Sequence, residues 1–312
     1  TPAPLPGCMI RSERGPIAGP ARQPAPLADL PLPDRSLFDV HRYSYAMRST
    51  AVPYTMMYTS RGCHLDCPYC PVPHLRQAAF NARPADQVYE EMRQLSLDYG
   101  VRSIHIEDDS FLADRERVLS LCQMLNERPL PVVWELVNGI RPTQVDDVLL
   151  GAMSAAGCRR VVYSFEHITN GSLGEVGHTH TLARQVVRQA RAHGMRVGGY
   201  FITGLPGLDL AETTRGLYLA LALRLDDANF GALYDAPGSV YAEDRTSQPA
   251  RLPRMTAVRL AKAAQIAFFC GPRPLVRLTL DLIKTPRVIP SLADKARELL
   301  RLGGPVPMRD TL

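Results

Sequence analysis

The sequence predicts an α/β fold built on a parallel sheet, and three observations support this prediction. Short runs of apolar, aromatic and β-branched residues recur between Tyr54 and Leu233, and they alternate with segments of helical periodicity. Glycine or proline ends most of the helical segments. The 312 residues, 46% apolar and 21% charged, are sufficient for a large globular core. Alternating strands and helices of this kind form right-handed units with helices outside a parallel sheet.

The individual elements follow from local signals. The predicted strands are, in chain order, residues 54–59, 103–106, 132–137, 159–165, 197–203 and 228–233. The predicted helices between them are residues 83–99, 114–127, a helix capped by Thr143 and closed at Gly157, then 182–193 and 212–225. In the first of these helices the apolar residues Val88, Met92 and Leu95 recur at helical spacing.

The two ends of the chain differ from this central region. Residues 1–50 are rich in proline and glycine, which predicts an extended arm on the surface rather than an independent domain. Residues 242–312 contain two amphipathic segments, 255–270 and 290–302, which predict a small helical extension.

Three cysteines follow the first predicted strand in a C-x3-C-x2-C spacing, Cys63, Cys67 and Cys70. Three thiols this close together cannot all pair as disulfides, but as thiolates they are suitable ligands for an iron–sulfur cluster or zinc. Zinc would require a fourth ligand, such as His64 or His74. The remaining cysteines are scattered along the chain: Cys8, Cys122, Cys158 and Cys270.

With Tyr69 as the aromatic residue, the motif resembles the signature of radical S-adenosylmethionine (radical SAM) enzymes. The resemblance implies a four-iron cluster on Cys63, Cys67 and Cys70, with S-adenosylmethionine on the open iron. An electron from a donor such as flavodoxin or ferredoxin would then release a 5′-deoxyadenosyl radical that removes a substrate hydrogen. It also implies an open, partial (β/α)6 TIM-like barrel over residues 51–241, which spacing alone would not distinguish from a closed eight-unit barrel.

Further segments resemble the cobalamin-binding group of these enzymes, in which methylcobalamin supplies a methyl group to carbon. They are the arm segment 29–39, Gly139-Ile140-Arg141-Pro142, Gly177-His178-Thr179 and Pro237-Gly238. The arm would then connect a preceding cobalamin domain to the barrel, or else pack on its own barrel. Two alternatives remain: a cobalamin-independent radical cyclisation, oxidation or rearrangement, and a zinc-stabilised binding protein without catalysis.

Three acidic residues end the second strand, Glu107, Asp108 and Asp109. The resemblance implies that this segment faces the amine end of S-adenosylmethionine. The alternative is a helix N-terminus, where Asp109 or Ser110 acts as the cap and the helix dipole favours acidic residues.

Polar residues also follow the third and fourth strands. Arg141 would contact the substrate or a cofactor, and Pro142 suits the first turn of a helix. Glu166 resembles the glutamate that contacts S-adenosylmethionine, and a carboxylate buried there needs a hydrogen-bonding or positive partner. His167 is a candidate proton donor or acceptor, or simply a polar loop residue.

The fifth strand leads into a glycine-rich segment that resembles the one beside adenine in radical SAM enzymes, with Gly204, Leu205 and Pro206 as the candidate residues. For Gly177-His178-Thr179 we expect helix capping by Thr179 or Thr181. A metal site from His178 and His180 is disfavoured, since alternate residues point to opposite faces of a strand.

Charge and composition limit the partners. The formal net charge of +5 is too small and too evenly spread to indicate nucleic-acid binding. No apolar run reaches the roughly 18 residues that cross a bilayer. Seven cysteines without a signal peptide indicate a reducing compartment, the cytoplasm. We therefore expect a small-molecule substrate.

Overall fold

The computed structural model describes residues 5–12, 15–20, 25–42, 51–75, 80–169, 177–244 and 252–284. Its strands are β1 (Met9–Ser12), β2 (Gly15–Ala18), β3 (Tyr54–Met57), β4 (Ser60–Arg61), β5 (Asn81–Ala82), β6 (Ser103–Ile106), β7 (Val133–Ile140), β8 (Cys158–Thr169), β9 (Gly177–Thr179), β10 (Arg196–Thr203) and β11 (Asp227–Ala232). Its helices are α1 (Val72–Leu75), α2 (Ala85–Leu97), α3 (Arg115–Glu127), α4 (Asp147–Ala155), α5 (His180–Ala192), α6 (Leu210–Ala222), α7 (Val240–Glu243), α8 (Arg254–Phe269) and α9 (Pro272–Lys284).

Six strands form one curled parallel sheet in the order β3-β6-β7-β8-β10-β11, which is also their order along the chain. Each strand therefore joins its neighbour through a helical crossover, as consecutive right-handed βα units require. The sheet forms a half-barrel, and the predicted partial (β/α)6 architecture is confirmed. None of the described helices is long and apolar enough to span a membrane.

Most predicted elements lie within a few residues of their observed positions, because burial and capping act locally. Val88, Met92 and Leu95 are buried along one face of α2. Thr179 caps α5 by accepting a hydrogen bond from the Leu182 N–H at 3.2 Å, as the sequence predicts.

The prediction that Thr143 caps the third predicted helix, which is α4 in the structure, is wrong. Pro142–Gln144 form a single 3-10 turn instead, and Asp146 caps α4 by accepting from the Leu149 N–H at 2.7 Å. An aspartate is among the strongest N-cap residues, and here it takes the role three residues after Thr143.

Both ends of the chain contain elements that the sequence did not predict. The arm carries the antiparallel pair β1–β2, and α9 follows α8 directly. The predicted helix over 290–302 lies outside the described residues.

Residues 25–42 of the arm pack on the rest of the chain. The Asn81 side chain accepts from the Leu27 N–H at 2.9 Å, and Leu27 is buried. Arg35 pairs with the buried Glu91 of α2 at 3.1 Å. The arm's role as a connector to a preceding domain, and the division at residues 50 and 241, stay predictions.

The open edge of the half-barrel is covered by α8. The Gln265 side chain accepts from the Phe230 N–H at 3.0 Å and donates to the Ala228 carbonyl at 2.9 Å. These backbone groups lie on β11, which has a strand neighbour on one side only within the described sheet. Gln265 therefore hydrogen-bonds to the edge of β11 as a neighbouring peptide would.

A buried group of charged side chains crosses the amino ends of the strands, and we call it the amino-end cluster: His105, Glu135, Arg160 and Asp227. Arg160 donates to both oxygens of Asp227 at 2.9 and 3.0 Å and lies 3.7 Å from Glu135. His105 lies 3.7 Å from Glu135 on its other side. Although burial opposes its charge, the two carboxylates raise the pKa of Arg160 overall.

Candidate active site

The cysteine loop follows β3 and β4 at the carboxyl end of the half-barrel. Cys63, Cys67 and Cys70 are each half-buried, and a turn joins the Cys70 N–H to the Cys67 carbonyl at 2.9 Å. Burial raises the pKa of the Cys70 thiol; a hydrogen bond from Val72 partly offsets this, and the neighbouring Cys67 and Cys63 raise it further. Negative charges on thiolates of one loop repel one another, so a cation bound by the loop would stabilise them.

The donor set fits a four-iron cluster better than a single ion. Among the described residues, no three His, Cys, Asp or Glu side chains converge closely enough to hold one metal ion. Cysteines on an iron–sulfur cluster need no such convergence, because each binds a different iron. Three cysteines also leave the fourth iron open for a ligand.

Arg141 reaches this loop from the end of β7. Its Nη2 atom lies 2.7 Å from Cys67 Sγ, across 74 residues of sequence. The backbone is fixed by Pro142 in the following turn and by the Gln144 side chain, which accepts from the Arg141 N–H at 3.1 Å. The guanidinium is therefore placed to stabilise negative charge on the cysteine ligands.

Close packing between β7 and β8 brings these strand ends together. A Cβ atom added at Gly139 would lie 1.8 Å from the Ser164 Oγ atom, so only glycine fits there.

Glu166 lies at a bulge in β8. Ser164 pairs with Tyr200 of β10, but the next residue of β10, Phe201, pairs with Glu166, so Phe165 is an extra residue. Glu166 has a φ of 43°, a left-handed conformation that is uncommon for a residue other than glycine. Such conformations persist where the surroundings impose them, and they cluster at functional sites.

Both carboxylate oxygens of Glu166 are held by side chains from other segments. The Tyr69 hydroxyl donates to Oε1 at 2.6 Å, which ties the cysteine loop to β8. The His178 Nε2 atom lies 3.2 Å from Oε2. Burial and the neighbouring Glu166 raise the pKa of Tyr69, so its hydroxyl keeps its proton and acts as the donor.

The three acidic residues after β6 have different surroundings. Asp108 is buried, and it accepts hydrogen bonds from the Thr59 N–H at 2.6 Å and the Ser60 hydroxyl at 2.6 Å, with Arg117 at 3.8 Å. Burial raises the pKa of Asp108, although these hydrogen bonds act to lower it. This arrangement gives Asp108 a structural role beneath the site.

Asp109 is better placed for ligand contact. It accepts from the Gly62 N–H at 2.9 Å, at the start of the cysteine loop. With Asp108 and Ser110 it lines a pocket at the carboxyl ends of β6 and β7, to which Asn138 and Gln144 also contribute. Asp109 is half-buried, whereas Asp108 is only 3% exposed. The half-buried Glu107 joins the backbone of β3 through its N–H, 3.0 Å from the Met57 carbonyl.

The glycine-rich turn lies at the carboxyl end of β10, as predicted. Gly204 has a φ of 78°, which allows the turn, and Leu205 is buried while Pro206 is half-buried. The Thr203 hydroxyl donates to the Ala257 carbonyl at 2.8 Å, so α8 holds this turn from outside.

The remaining histidines contribute less to the geometry. The backbone of His167 pairs with Gly177, but its side chain lies outside the described residues, as does that of His74. His64 is exposed. His180 accepts a hydrogen bond from the Arg184 Nε atom at 3.1 Å, whereas His178 contacts Glu166.

Comparisons with known proteins show the family of the chain. The sequence profile of the radical SAM superfamily matches residues 57–215, which is half of the chain. Cytidylyl-2-hydroxyethylphosphonate methyltransferase from Streptomyces wedmorensis is 29% identical over 58% of this chain and 35% of that protein. An uncharacterized methyltransferase from Pyrococcus horikoshii is 25% identical over 68% of this chain and 45% of that protein. The chain thus spans less than half the length of these relatives.

Solved structures share the fold. TsrM from Kitasatospora setae, a radical S-adenosylmethionine methyltransferase with cobalamin and a [4Fe-4S] cluster bound, aligns with a TM-score of 0.59 at 19% identity. The alignment covers 75% of this chain and 47% of that one. Coproporphyrinogen III oxidase from Escherichia coli aligns with a TM-score of 0.50 at 16% identity, over 74% of this chain and 54% of that one.

The chain belongs to the radical SAM superfamily, as the family profile and the cysteine loop together establish. Members of this superfamily are enzymes that bind a four-iron cluster and S-adenosylmethionine. The resemblance stated from the sequence is confirmed, and the alternative of a non-catalytic zinc protein is wrong.

The sequence did not assign His178 its contact with Glu166. The sequence contains the motif Gly177-His178-Thr179, but this motif predicted only helix capping by Thr179 or Thr181. Only the pairing of β9 with the end of β8 brings the imidazole to Glu166.

Proposed function

We propose that the chain is the catalytic barrel of a radical SAM methyltransferase that transfers a methyl group from cobalamin to carbon. The observation that carries the proposal is the contact between the cysteine loop and the barrel, where Arg141 lies 2.7 Å from Cys67 Sγ. A guanidinium that hydrogen-bonds to a cysteine ligand would stabilise the negative charge of a thiolate-bound cluster and tune its reduction potential.

Bound at this loop, the reduced cluster would supply one electron that breaks a sulfonium C–S bond of S-adenosylmethionine, giving methionine and a 5′-deoxyadenosyl radical that takes a substrate hydrogen atom. The residues of the chain orient and shield this chemistry. Cys63, Cys67 and Cys70 hold the cluster, and Arg141 stabilises its negative charge. Glu166 presents a carboxylate to hydroxyl or ammonium donors of the cofactor.

The second cofactor and the partners follow from the relatives. Two relatives are named methyltransferases, which supports the methyl-transfer step. A third, the anaerobic magnesium-protoporphyrin IX monomethyl ester cyclase of Rubrivivax gelatinosus, is 23% identical over 65% of this chain, and its name supports a radical cyclisation in place of methyl transfer. The second candidate is such a cyclisation without cobalamin. A small-molecule substrate, an electron donor such as flavodoxin or ferredoxin and a cytoplasmic location complete the proposal.

The test begins with the chain purified without oxygen and reconstituted with iron and sulfide. We expect roughly four irons per chain, and 5′-deoxyadenosine after addition of S-adenosylmethionine and a reductant. Cys67→Ala should lose both the iron and the product. Cys270→Ala is the matched control, because Cys270 is exposed and lies outside the loop.

Retention of iron and 5′-deoxyadenosine by Cys67→Ala would refute the cluster assignment. Cobalt content then separates the two candidate reactions. Protein expressed from the full-length gene with hydroxocobalamin present should purify with cobalt, and its absence would favour the cobalamin-independent reaction.

A further inference from the structure

His178 occupies a position that helix capping does not explain. Its side chain is 8% exposed, and its Nε2 atom lies 3.2 Å from Glu166 Oε2. The cap of α5 is made by the neighbouring Thr179 hydroxyl, which binds Leu182 without help from the imidazole. The imidazole ring is therefore available for a second role.

The pairing of two strands brings His178 to Glu166. β8 continues past the bulge at Phe165, and β9 pairs in parallel with this continuation, with His178 opposite Ile168. This short strand lies outside the main order of the half-barrel. It places the imidazole on the same carboxylate that Tyr69 reaches from the cysteine loop.

The two contacts fix the Glu166 carboxylate but leave some of its hydrogen-bond acceptor sites unused. Tyr69 binds Oε1 at 2.6 Å and His178 binds Oε2. A carboxylate has about four lone-pair sites, so one donor on each oxygen leaves further sites for a ligand. Two donors on different oxygens also stop the group from rotating.

We propose that His178 is a positioning residue, which holds the Glu166 carboxylate in the orientation that receives S-adenosylmethionine. The inference rests on the proposed function, since it assigns that cofactor to this site. His178 acts through Glu166 and does not itself touch the cofactor. Cofactor affinity should then depend on a donor at the position of Nε2, and cluster binding should not.

The test compares His178→Gln with His178→Asn. The glutamine amide reaches the position of Nε2 and keeps a donor there, whereas the asparagine amide is one methylene shorter and does not reach. We would measure the affinity for S-adenosylmethionine by anaerobic equilibrium dialysis on reconstituted protein, together with iron content and Tm. We expect His178→Asn to weaken binding about tenfold, as for the loss of one charge-assisted hydrogen bond, and His178→Gln to stay within about threefold of the parent protein.

Iron content and Tm should be the same in the two variants. Equal affinity of His178→Asn and the parent protein would overturn the inference. Equal loss of affinity in both variants, together with lost iron or a lower Tm, would overturn it in favour of a purely structural role. If the parent protein carries a cluster but binds no S-adenosylmethionine, the proposed function fails, and this inference fails with it.

His178→Phe provides a second comparison if both amide variants fold poorly. It keeps an aromatic ring of similar size in the buried site but has no donor. We expect it to weaken S-adenosylmethionine binding about tenfold while iron content stays at the parental level. Unchanged affinity in this variant would also overturn the inference.

Discussion

The two ends of the half-barrel both contain buried charges, but these charges bind different parts of the chain. In the amino-end cluster, Arg160 of β8 binds Asp227 of β11 and lies near Glu135 of β7, so strands bind strands. At the carboxyl end, Arg141 and Glu166 bind Cys67 and Tyr69 of a loop. The charges at the amino end therefore join strands to one another, and those at the carboxyl end join the cysteine loop to the sheet.

The strand register explains why the amino-end charges meet. His105 pairs with Glu135, and Glu135 pairs with Arg160, so the three side chains are lateral neighbours on adjacent strands. A mutation in the amino-end cluster should change the free energy of unfolding, whereas one at the carboxyl end should change the rate of 5′-deoxyadenosine formation. Two pairs of mutations test this contrast, beginning with the largest expected effect, and two experiments on the cysteines follow.

Arg160→Met should give the largest loss of stability. Arg160 is 1% exposed, and its removal leaves the Asp227 and Glu135 carboxylates without their shared cation. Removing one partner from a buried ion pair lowers the free energy of unfolding by about 3–5 kcal/mol, which urea denaturation measures. Arg141→Met is the matched change at the other end. It should lower stability much less and reduce 5′-deoxyadenosine formation, and equal losses of stability would break the contrast.

Glu166→Gln should separate chemistry from folding. The amide has nearly the same shape, and its carbonyl still accepts from Tyr69, so we expect the free energy of unfolding to change by less than about 1 kcal/mol. Loss of the negative charge should lower the rate of 5′-deoxyadenosine formation at least about tenfold.

Glu135→Gln is the corresponding change in the amino-end cluster. It should lower stability and leave the rate per folded molecule near the parental value. If Glu166→Gln kept the parental rate, Glu166 would have no part in the site.

Thiol labelling gives the smallest effect and sharpens the contrast between exposed and buried cysteines. Burial raises the pKa of the Cys122 thiol from 9.0 to about 12, and it also raises that of Cys158, which starts β8. Since the thiolate is the reactive form, maleimide at neutral pH should spare both thiols in the folded, cluster-free chain and modify Cys67 and Cys270. Mass spectrometry of digested protein identifies the labelled residues, and unfolding in urea should expose all of them.

The same raised pKa predicts how stability changes at alkaline pH. Below pH 9 the Cys122 thiol is protonated in both the folded and the unfolded chain, so its contribution to stability is fully present. As the pH rises from 9 towards about 12, the unfolded thiol ionises while the folded one keeps its proton, and this contribution is lost. Cys122→Ala should therefore flatten the decline in the free energy of unfolding over this range. An unchanged pH dependence would contradict the assignment.

The sequence predicted the features that depend on neighbouring residues. The strand at Ser103–Ile106 has the predicted bounds, because a short apolar run ends there at a row of acids. The C-x3-C-x2-C spacing predicted the family to which the chain belongs, since three cysteines on one loop are a local pattern. Their role as cluster ligands stays a prediction. The position of Arg141 at the end of a strand followed from the same alternation of strands and helices. The predicted end of the fourth strand at residue 165 is wrong, because β8 continues past Glu166 to Thr169, where it pairs with β9.

Features that depend on distant pairing could not be predicted. The bulge at Phe165 arises from the register between β8 and β10, and no local signal marks it. Tyr69 and Glu166 are 97 residues apart, so their hydrogen bond follows from the curvature of the sheet. Thr143 and Asp146 are both good N-cap residues, and local propensity did not decide between them.

The amide of Gln265 on the edge of β11 has a consequence for how the sheet ends. A half-barrel stops at a strand whose outward N–H and C=O groups could template a strand from another molecule. The Gln265 side chain on α8 hydrogen-bonds to the Phe230 N–H and the Ala228 carbonyl. These two groups are therefore not available to a strand from another molecule, although the sheet gains no further strand. The barrel can thus remain unclosed while this border is protected from pairing with a strand of another molecule.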